Sequence, residues 1–366
     1  MMINKKLVFV INTLQQGGAE RVLSTLSNSF SARSYRVTIV CMNQADTGYP
    51  IDENIRVVTL LNRKGRQHLL KRVGYGLLTY IRLFKVILAE SPCCVISFMT
   101  SANLWTGLTC GLLGVPYIVS ERTTPELTIH QFNPFYKWLS FQVYKHSKAV
   151  VLPAIGIREA LKNEAKFKQL KNYRIIRNPV YEFENADKKI VHNKQFILGI
   201  GRLSHEKGFD QLITAFAGLK VKNIDLLIIG VGKERLKLEL QIERLGLTQR
   251  VQLLGPRNDV EHYYRAASVF VLPSRNEGYP NALVEAMSNG CACIAMNCEY
   301  GPGEIIRHGV NGILVPPGDI DQLSREIFHV LFDREYRTSL SEQAKLIKQT
   351  NSLAIISDKW EQLILI

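Results

Sequence analysis

Short runs rich in Val, Ile, Leu, Phe and Cys recur along this 366-residue chain at 7–11, 36–41, 57–61, 94–98, 117–120, 149–152 and 173–176, with longer amphipathic stretches such as 19–31, 69–90 and 133–145 among them. The runs are too short for helices and mostly lack polar alternation, so they read as strands buried on both faces. Strands of that kind belong to a parallel sheet, whose crossovers supply the helices that cover it. After Asn178-Pro179 a polar segment without periodicity, 182–189, interrupts the pattern. It restarts with strands at 196–200, 226–229, 251–254, 269–272, 292–295 and 312–315. The chain is therefore predicted to be α/β, with two doubly wound Rossmann-like domains, 1–181 and 190–345, facing a central cleft.

Charge narrows the partners. The chain carries a net +14; residues 1–180 hold 24 Lys and Arg against 9 Asp and Glu, an excess of +15, whereas 181–366 hold 22 against 23. A basic half joined to a neutral one faces a polyanion, which is nucleic acid, an anionic membrane surface or a phosphorylated substrate. The first half lacks the aromatic and basic signature of an RNA-recognition sheet, so no nucleic-acid partner is expected. Seven cysteines with no pair of CxxC elements exclude a zinc ribbon and read as buried, reduced thiols. Lys5-Lys6 precede the apolar run 7–11, but that run is shorter than the roughly 7–15 residues of a signal-peptide core and reads as a strand. The stretch 104–119 is broken by Gly107, Gly111, Gly114 and Pro116 and falls short of the ~20 residues of a membrane span.

In doubly wound sheets ligands bind beyond the carboxyl ends of the strands, and distinctive residues follow several strands here. Gly17-Gly18 opens a helix after the first strand, where a bare turn is the plain alternative to a ligand contact. The segment Gly199-Ile200-Gly201-Arg202-Leu203-Ser204-His205-Glu206-Lys207-Gly208 brings two cations beside glycines, a combination suited to a diphosphate. Ser204 and Arg235 stand where a dinucleotide fingerprint needs its third glycine, which disfavours a nicotinamide cofactor. The sharpest block runs from Pro273 to Met287. A strand gives way to a turn containing Glu277, Gly278, Tyr279 and Pro280, and a helix then starts near Asn281 or Ala282, carrying Glu285 about one turn in. Its first amides are expected to lack intrahelical partners and to be open to a phosphate. One carboxylate can meet a sugar and the other a ribose.

Asp319-Ile320-Asp321 has the spacing of a metal-binding DxD element. It follows Pro316-Pro317-Gly318 and opens a helical stretch, where Asp is a favoured N-cap, so capping is the preferred reading. The eight histidines show no metal-ligand grouping, and His205 is as readily a solvated loop residue as a donor contact.

These motifs resemble those of the family 4 retaining glycosyltransferases with the GT-B fold, over nearly the whole chain. The elements that match are Gly17-Gly18-Ala19-Glu20, Asn178-Pro179-Val180, Gly201-Arg202-Leu203 with Glu206-Lys207-Gly208, the Glu277-x7-Glu285 block, and Gly301-Pro302-Gly303-Glu304-Ile305-Ile306 followed by Gly309-x-Asn311-Gly312. The resemblance implies transfer of a hexose or N-acetylhexosamine from a UDP-sugar, with Arg202 and Lys207 on the diphosphate, Glu277 on the transferred sugar and Glu285 on the ribose. It further implies donor contacts at Gly18, Gly278, Tyr279, Asn281, Ala282 and Leu283 and at Arg257 beside the base, and a final segment, 346–366, that crosses back to the first domain. Glu277, Arg202 and Lys207 are the implied catalytic set, with no cofactor and no divalent metal.

Within that family the chain is most similar to bacterial enzymes that extend lipid-linked glycans, which implies a lipid-diphosphate acceptor and a cytoplasmic protein peripheral on the inner face of the membrane. Acceptor contacts are then expected at Gly17, Glu121 and Arg122 and in the basic cluster Arg63, Lys64, Arg66, Lys71 and Arg72, which leads into an amphipathic helix suited to anionic lipid. Family members carry His at the position of Arg122; Arg cannot act as a base, so substrate contact alone is carried over to it. Other GT-B activities, a nucleotide-sugar epimerase or a sugar-phosphate synthase, are the alternatives within enzymes. A basic nucleic-acid-binding protein is the alternative outside them.

Overall fold

The computed structural model describes residues 5–15, 17–44, 48–62, 69–181 and 189–365, of which 69–73 as backbone alone. The basic residues Arg63, Lys64 and Arg66 and most of the polar segment 182–189 lie outside the described residues, as do the side chains of Lys71 and Arg72.

The chain divides into two units. The first comprises residues up to Pro179 together with Leu353–Ile366, and the second is Val180–Ser352. In the first unit β1 (Lys6–Ile11), α1 (Gly18–Ala32), β2 (Arg36–Cys41), β3 (Arg56–Thr59), α2 (Leu69–Glu90), β4 (Cys94–Phe98), α3 (Thr100–Leu113), β5 (Tyr117–Ser120), α4 (Pro134–His146), β6 (Ala149–Leu152), α5 (Ile155–Lys162) and β7 (Tyr173–Ile175) follow one another. The seven strands are parallel, in the order β3-β2-β1-β4-β5-β6-β7. Leu7 to Ile11 are buried throughout, as a strand covered on both faces requires. Local chemistry sets the helix ends. The Asn133 side chain accepts from the Tyr136 amide at 2.9 Å with Pro134 in the first turn of α4, and Gly114 ends α3 in the left-handed region at φ +66°.

The second unit repeats the plan with β8 (Gln195–Ile200), α6 (Phe209–Gly218), β9 (Ile224–Ile229), α7 (Arg235–Arg244), β10 (Val251–Gly255), α8 (Val260–Ala266), β11 (Val269–Leu272), α9 (Asn281–Ser288), β12 (Cys293–Met296), α10 (Pro302–Ile305), β13 (Ile313–Val315), α11 (Ile320–Phe332), α12 (Arg334–Lys345) and α13 (Lys348–Asn351). Its six strands are parallel in the order β10-β9-β8-β11-β12-β13. Phe209, Leu212 and Phe216 of α6 pack on Leu226, Ile228 and Ile294 of the sheet. This unit runs past residue 345 because Leu340 and Ala344 of α12 are buried and Asn351 is fully buried, its carbonyl accepting from the Val180 amide at 2.7 Å.

The last helix, α14 (Leu353–Leu365), belongs to the first unit. Its Trp360 is 1% exposed and stacks on Phe98 with ring centroids 5.8 Å apart, while Glu361 accepts from the Tyr35 hydroxyl at 2.7 Å and from Arg33 at 2.8 Å. Burial of a side chain that size makes Trp360→Ala cost about 3–5 kcal/mol. Among the described residues no helix is long and apolar enough to cross a membrane. All seven cysteines are free thiols; six are buried, as their apolar surroundings predict, and Cys93, immediately before β4, is exposed.

Candidate active site

A doubly wound sheet reverses its direction of growth beside its first strand, and the loops on either side of that point splay apart to leave room for a ligand. In the second unit the point lies between β8 and β11. The loops concerned are 201–208 and 273–280, the two segments in which the sequence places its cations and its first glutamate. Glycine lets them approach. Gly208 has φ +67°, and a Cβ there would lie 2.0 Å from the Pro273 carbonyl oxygen; at Gly230, φ +146°, it would lie 1.9 Å from the Gly201 oxygen. The Arg275 amide donates to the Glu206 carbonyl at 2.8 Å, and its guanidinium forks onto Asp210 at 2.7 and 2.6 Å. Burial opposes ionisation of Asp210, but the Arg275 fork outweighs it and holds the carboxyl below the usual carboxylate range.

Between these clamped loops Lys207 Nζ lies 2.6 Å from Glu277 Oε1, and the Ser274 hydroxyl donates to the same oxygen at 2.7 Å. Glu277 is 5% exposed, and its Oε2 makes no hydrogen bond among the described residues. The neighbouring Cys298 thiol is pushed up to about 12, by burial first and then by the charge of Glu277. Glu285, on α9, is equally buried and accepts from the Tyr264 hydroxyl at 3.1 Å. Two glutamates thus stand in place, each oriented by a second residue.

The rest of the turn differs from expectation at its helix start. The amide of Asn281 donates to the Tyr279 carbonyl, and those of Leu283 and Val284 to the Pro280 carbonyl, at 3.0 to 3.2 Å. Two of the first amides of α9, those of Asn281 and Leu283, are therefore used inside the turn, while the Val284 bond is the ordinary first bond of the helix. The Leu283 side chain is fully buried, which leaves only its backbone for the ligand contact expected there, while Gly278, Asn281 and Ala282 are half-buried. Tyr279 is buried and its hydroxyl accepts from Asn351 Nδ2 at 2.8 Å. Arg202 is exposed and makes no ion pair among the described residues. Arg257 is exposed with its guanidinium 5.9 Å from the Tyr263 ring centre. His205 is exposed and lines a surface depression with Asp210, Gln241 and Arg244.

In the first unit two expected acceptor residues are taken up internally. Glu121 is 1% exposed and accepts from Thr100 at 2.8 Å, from Asn103 at 2.9 Å and from the Tyr144 hydroxyl. Burial raises its carboxyl above the ordinary value, with those hydrogen bonds opposing. It belongs to the interior and cannot contact an acceptor. The Arg122 guanidinium lies 4.7 Å from the Phe98 ring centre and 5.8 Å from that of Trp360, and donates to Asn178. These contacts give it a structural task, fastening α14 and the segment before Pro179 to the sheet, and the side chain is half-buried. Gly17 is the extended N-cap of α1, a Cβ there meeting the Glu20 carboxylate at 2.2 Å, and Gly18 is exposed at the helix start. The corresponding switch point, between β1 and β4, is marked by Ser101 donating to Asn12 at 2.8 Å.

Asp319 accepts from the Gln322 amide at 2.8 Å and caps α11, the role its sequence position indicates. Among the described residues no three His, Cys, Asp or Glu side chains are grouped as metal ligands.

The chain as a whole matches known families. The model described as Glycosyltransferase Family 4 matches residues 16–181, and that described as Glycosyl transferases group 1 matches 180–347. The chain belongs to the family 4 glycosyltransferases. This glycosyltransferase is 24% identical to the amylovoran biosynthesis glycosyltransferase AmsD of Erwinia amylovora, over 98% of this chain and 99% of that one. It is 26% identical, over 98% of each chain, to a Campylobacter jejuni protein named GalNAc-α-(1→4)-GalNAc-α-(1→3)-diNAcBac-PP-undecaprenol α-1,4-N-acetyl-D-galactosaminyltransferase. The crystal structure of Anabaena HepE in complex with UDP matches it with a TM-score of 0.81 at 18% identity, over 98% of this chain and 99% of that one, a likeness of fold. The glycosyltransferase therefore has the GT-B architecture.

Sequence reasoning missed three supports of this candidate site. Ser274 sits inside the block already singled out, three residues before Glu277, a spacing at which a short side chain can bridge a turn. The Asp210–Arg275 fork and Tyr264 carry no local signal, since each joins segments that only the fold brings together.

Proposed function

We propose that this glycosyltransferase transfers a hexose or N-acetylhexosamine from a UDP-sugar to a lipid-diphosphate-linked glycan in bacterial polysaccharide or glycan assembly, with retention of configuration and without a metal. The observation that carries the reading is the Lys207–Glu277 contact at the switch point of the second sheet, with Glu285 held nearby in sequence on α9. Glu277 Oε2 is left to accept from a hydroxyl of the transferred sugar, and Glu285 from a ribose hydroxyl. Lys207 and the exposed Arg202 supply positive charge for the diphosphate.

As the bond from the anomeric carbon to the β-phosphate oxygen breaks, its electron pair passes to that oxygen. Cations fixed beforehand at this point stabilise the growing charge, and stabilisation of this kind usually lowers the barrier more than any other single effect. The acceptor hydroxyl then bonds to the anomeric carbon on the face the phosphate leaves, and its proton goes to the departing phosphate oxygen. Glu277 orients the sugar; its Oε1 is already committed to Lys207 and Ser274. Trapping of a sugar covalently on Glu277 would overturn this order of events.

The UDP in HepE and the diphospho-undecaprenol glycan in the name of the Campylobacter relative support the donor and acceptor classes. A membrane partner, on the inner face of the cytoplasmic membrane, is supported by the +15 excess of residues 1–180 and by exposed Leu and aromatic side chains on α2, α3 and α4. Incubation with UDP-glucose, UDP-galactose and their N-acetyl forms, each with an undecaprenyl-diphosphate glycan, tests the reading. Product from one of them is expected; hydrolysis or epimerisation of the donor with no transfer would refute it.

A further inference from the structure

Asn351 is the next-to-last residue of the second unit and Val180 its first, so each stands where the chain passes between units. The two are joined by the 2.7 Å bond from the Val180 amide to the Asn351 carbonyl. The side chain of the same asparagine donates from Nδ2 to the Tyr279 hydroxyl at 2.8 Å, and its Oδ1 accepts from the Thr350 hydroxyl at 2.8 Å. Asn351 is fully buried, and Tyr279 is 9% exposed. Tyr279 lies two residues beyond Glu277, and its carbonyl holds the first amide of α9. Buried amide and phenol groups are expensive to leave unpaired, so breaking the Asn351–Tyr279 bond is costly to both. One residue therefore links the turn that carries Glu277 to both passages of the chain.

We propose that Asn351 is a positioning residue: it sets the Glu277 turn through Tyr279 and couples the order of that turn to the order of the Val180 and Asn351 segments, so that occupancy of the turn is felt where the chain leaves the unit. The link follows from the fold, while its use by a nucleotide rests on the function proposed above. A side chain that only filled space at this position would affect overall stability alone. A coupling residue makes two separate segments respond together to a ligand that touches one of them.

Hydrogen exchange on the full chain tests this, with UDP alone as the probe and with Asn351→Ala and Tyr279→Phe as variants. Tyr279→Phe keeps the ring and its packing, so it reports even where Asn351→Ala folds poorly. Without UDP, both variants are expected to exchange roughly tenfold faster at residues 278–284 and at Val180 together, the size of one lost buried hydrogen bond. With UDP, wild type is expected to gain protection at both segments and the variants at residues 278–284 only, with the double variant no worse than either single one. Protection of Val180 by UDP that survives in Tyr279→Phe would overturn the coupling, as would faster exchange confined to one segment. Failure of UDP to protect wild type anywhere would refute the nucleotide reading, and the ligand-free comparison would still decide the link.

Discussion

Lys207 and Glu277 meet at 2.6 Å although they come from loops that follow non-consecutive strands, β8 and β11, which the sheet places side by side. The lysine fixes the buried glutamate in one orientation, and the glutamate keeps the lysine aimed at the strand ends. Glu277→Gln preserves shape and the bond from Ser274 but removes the charge that holds Lys207. Turnover is expected to fall roughly 100-fold, the size of losing one preorganised group, with little change in thermal midpoint. Steady-state kinetics and a melt of the same preparation check it; unchanged kcat would remove Glu277 from the reaction.

Asp319 accepts from the Gln322 amide, which makes its part in the DxD spacing a capping one. Asp319→Asn, itself a good cap, is expected to be neutral, and Asp319→Ala to cost about 1 kcal/mol of stability without loss of turnover. Turnover in the presence of a chelator is likewise expected to be unchanged. Urea unfolding and activity assays with and without chelator distinguish this from metal binding, for which both substitutions and the chelator would abolish activity.

The strands were legible because a doubly covered parallel sheet writes its strands as uninterrupted apolar runs, and all thirteen appear within a residue or two of their expected bounds. The 273–287 block was legible because a turn carrying Glu277, Gly278 and Pro280 before a helix is unusual, and Gly208 marks the close approach of the 201–208 loop to the Pro273 carbonyl. Glu121 and Arg122 follow a strand just as Glu277 does, and by position alone they look alike. What separates them is Thr100, Asn103 and Tyr144 around one and Phe98 and Trp360 around the other, partners contributed by distant helices and strands. Local pattern carries no record of those meetings.

Glu361 ties α14 to the first unit through Tyr35 and Arg33. The Tyr35 hydroxyl first, then Arg33, hold its carboxyl below the ordinary value against the opposing effect of burial. A carboxyl lowered on folding adds stability above its unfolded value of about 4.3 and loses it as pH falls through the folded value. Glu361→Gln is therefore expected to destabilise by about 1–2 kcal/mol at pH 7 and by progressively less below pH 4. Urea midpoints of both proteins at the two pH values measure the difference; a gap that stays constant would show that its charge contributes nothing.

The outward side of α2, α3 and α4 carries Leu77, Leu112, Phe135, Tyr136 and Trp138 at 44–69% exposure. These helices are neighbours: Tyr80 of α2 lies 6.2 Å from Trp105 of α3, and Gly107 of α3 packs so closely on Val143 of α4 that a Cβ would meet it at 2.2 Å. Phe135 and Trp138 form a ring pair 6.1 Å apart at the start of α4. Aromatic side chains of this kind favour the interfacial zone of a bilayer, and the basic excess of the same half favours anionic lipid. Phe135 and Trp138 are both exposed and pack chiefly on each other and on Tyr136, so replacing them by Ser should leave the fold standing. Co-sedimentation with vesicles of phosphatidylglycerol is expected to drop at least fivefold, and a water-soluble acceptor analogue should be used at the wild-type rate. Each buried apolar ring is worth about 1.5–3 kcal/mol, so binding that survives the double change would place the membrane contact on a different face of the enzyme.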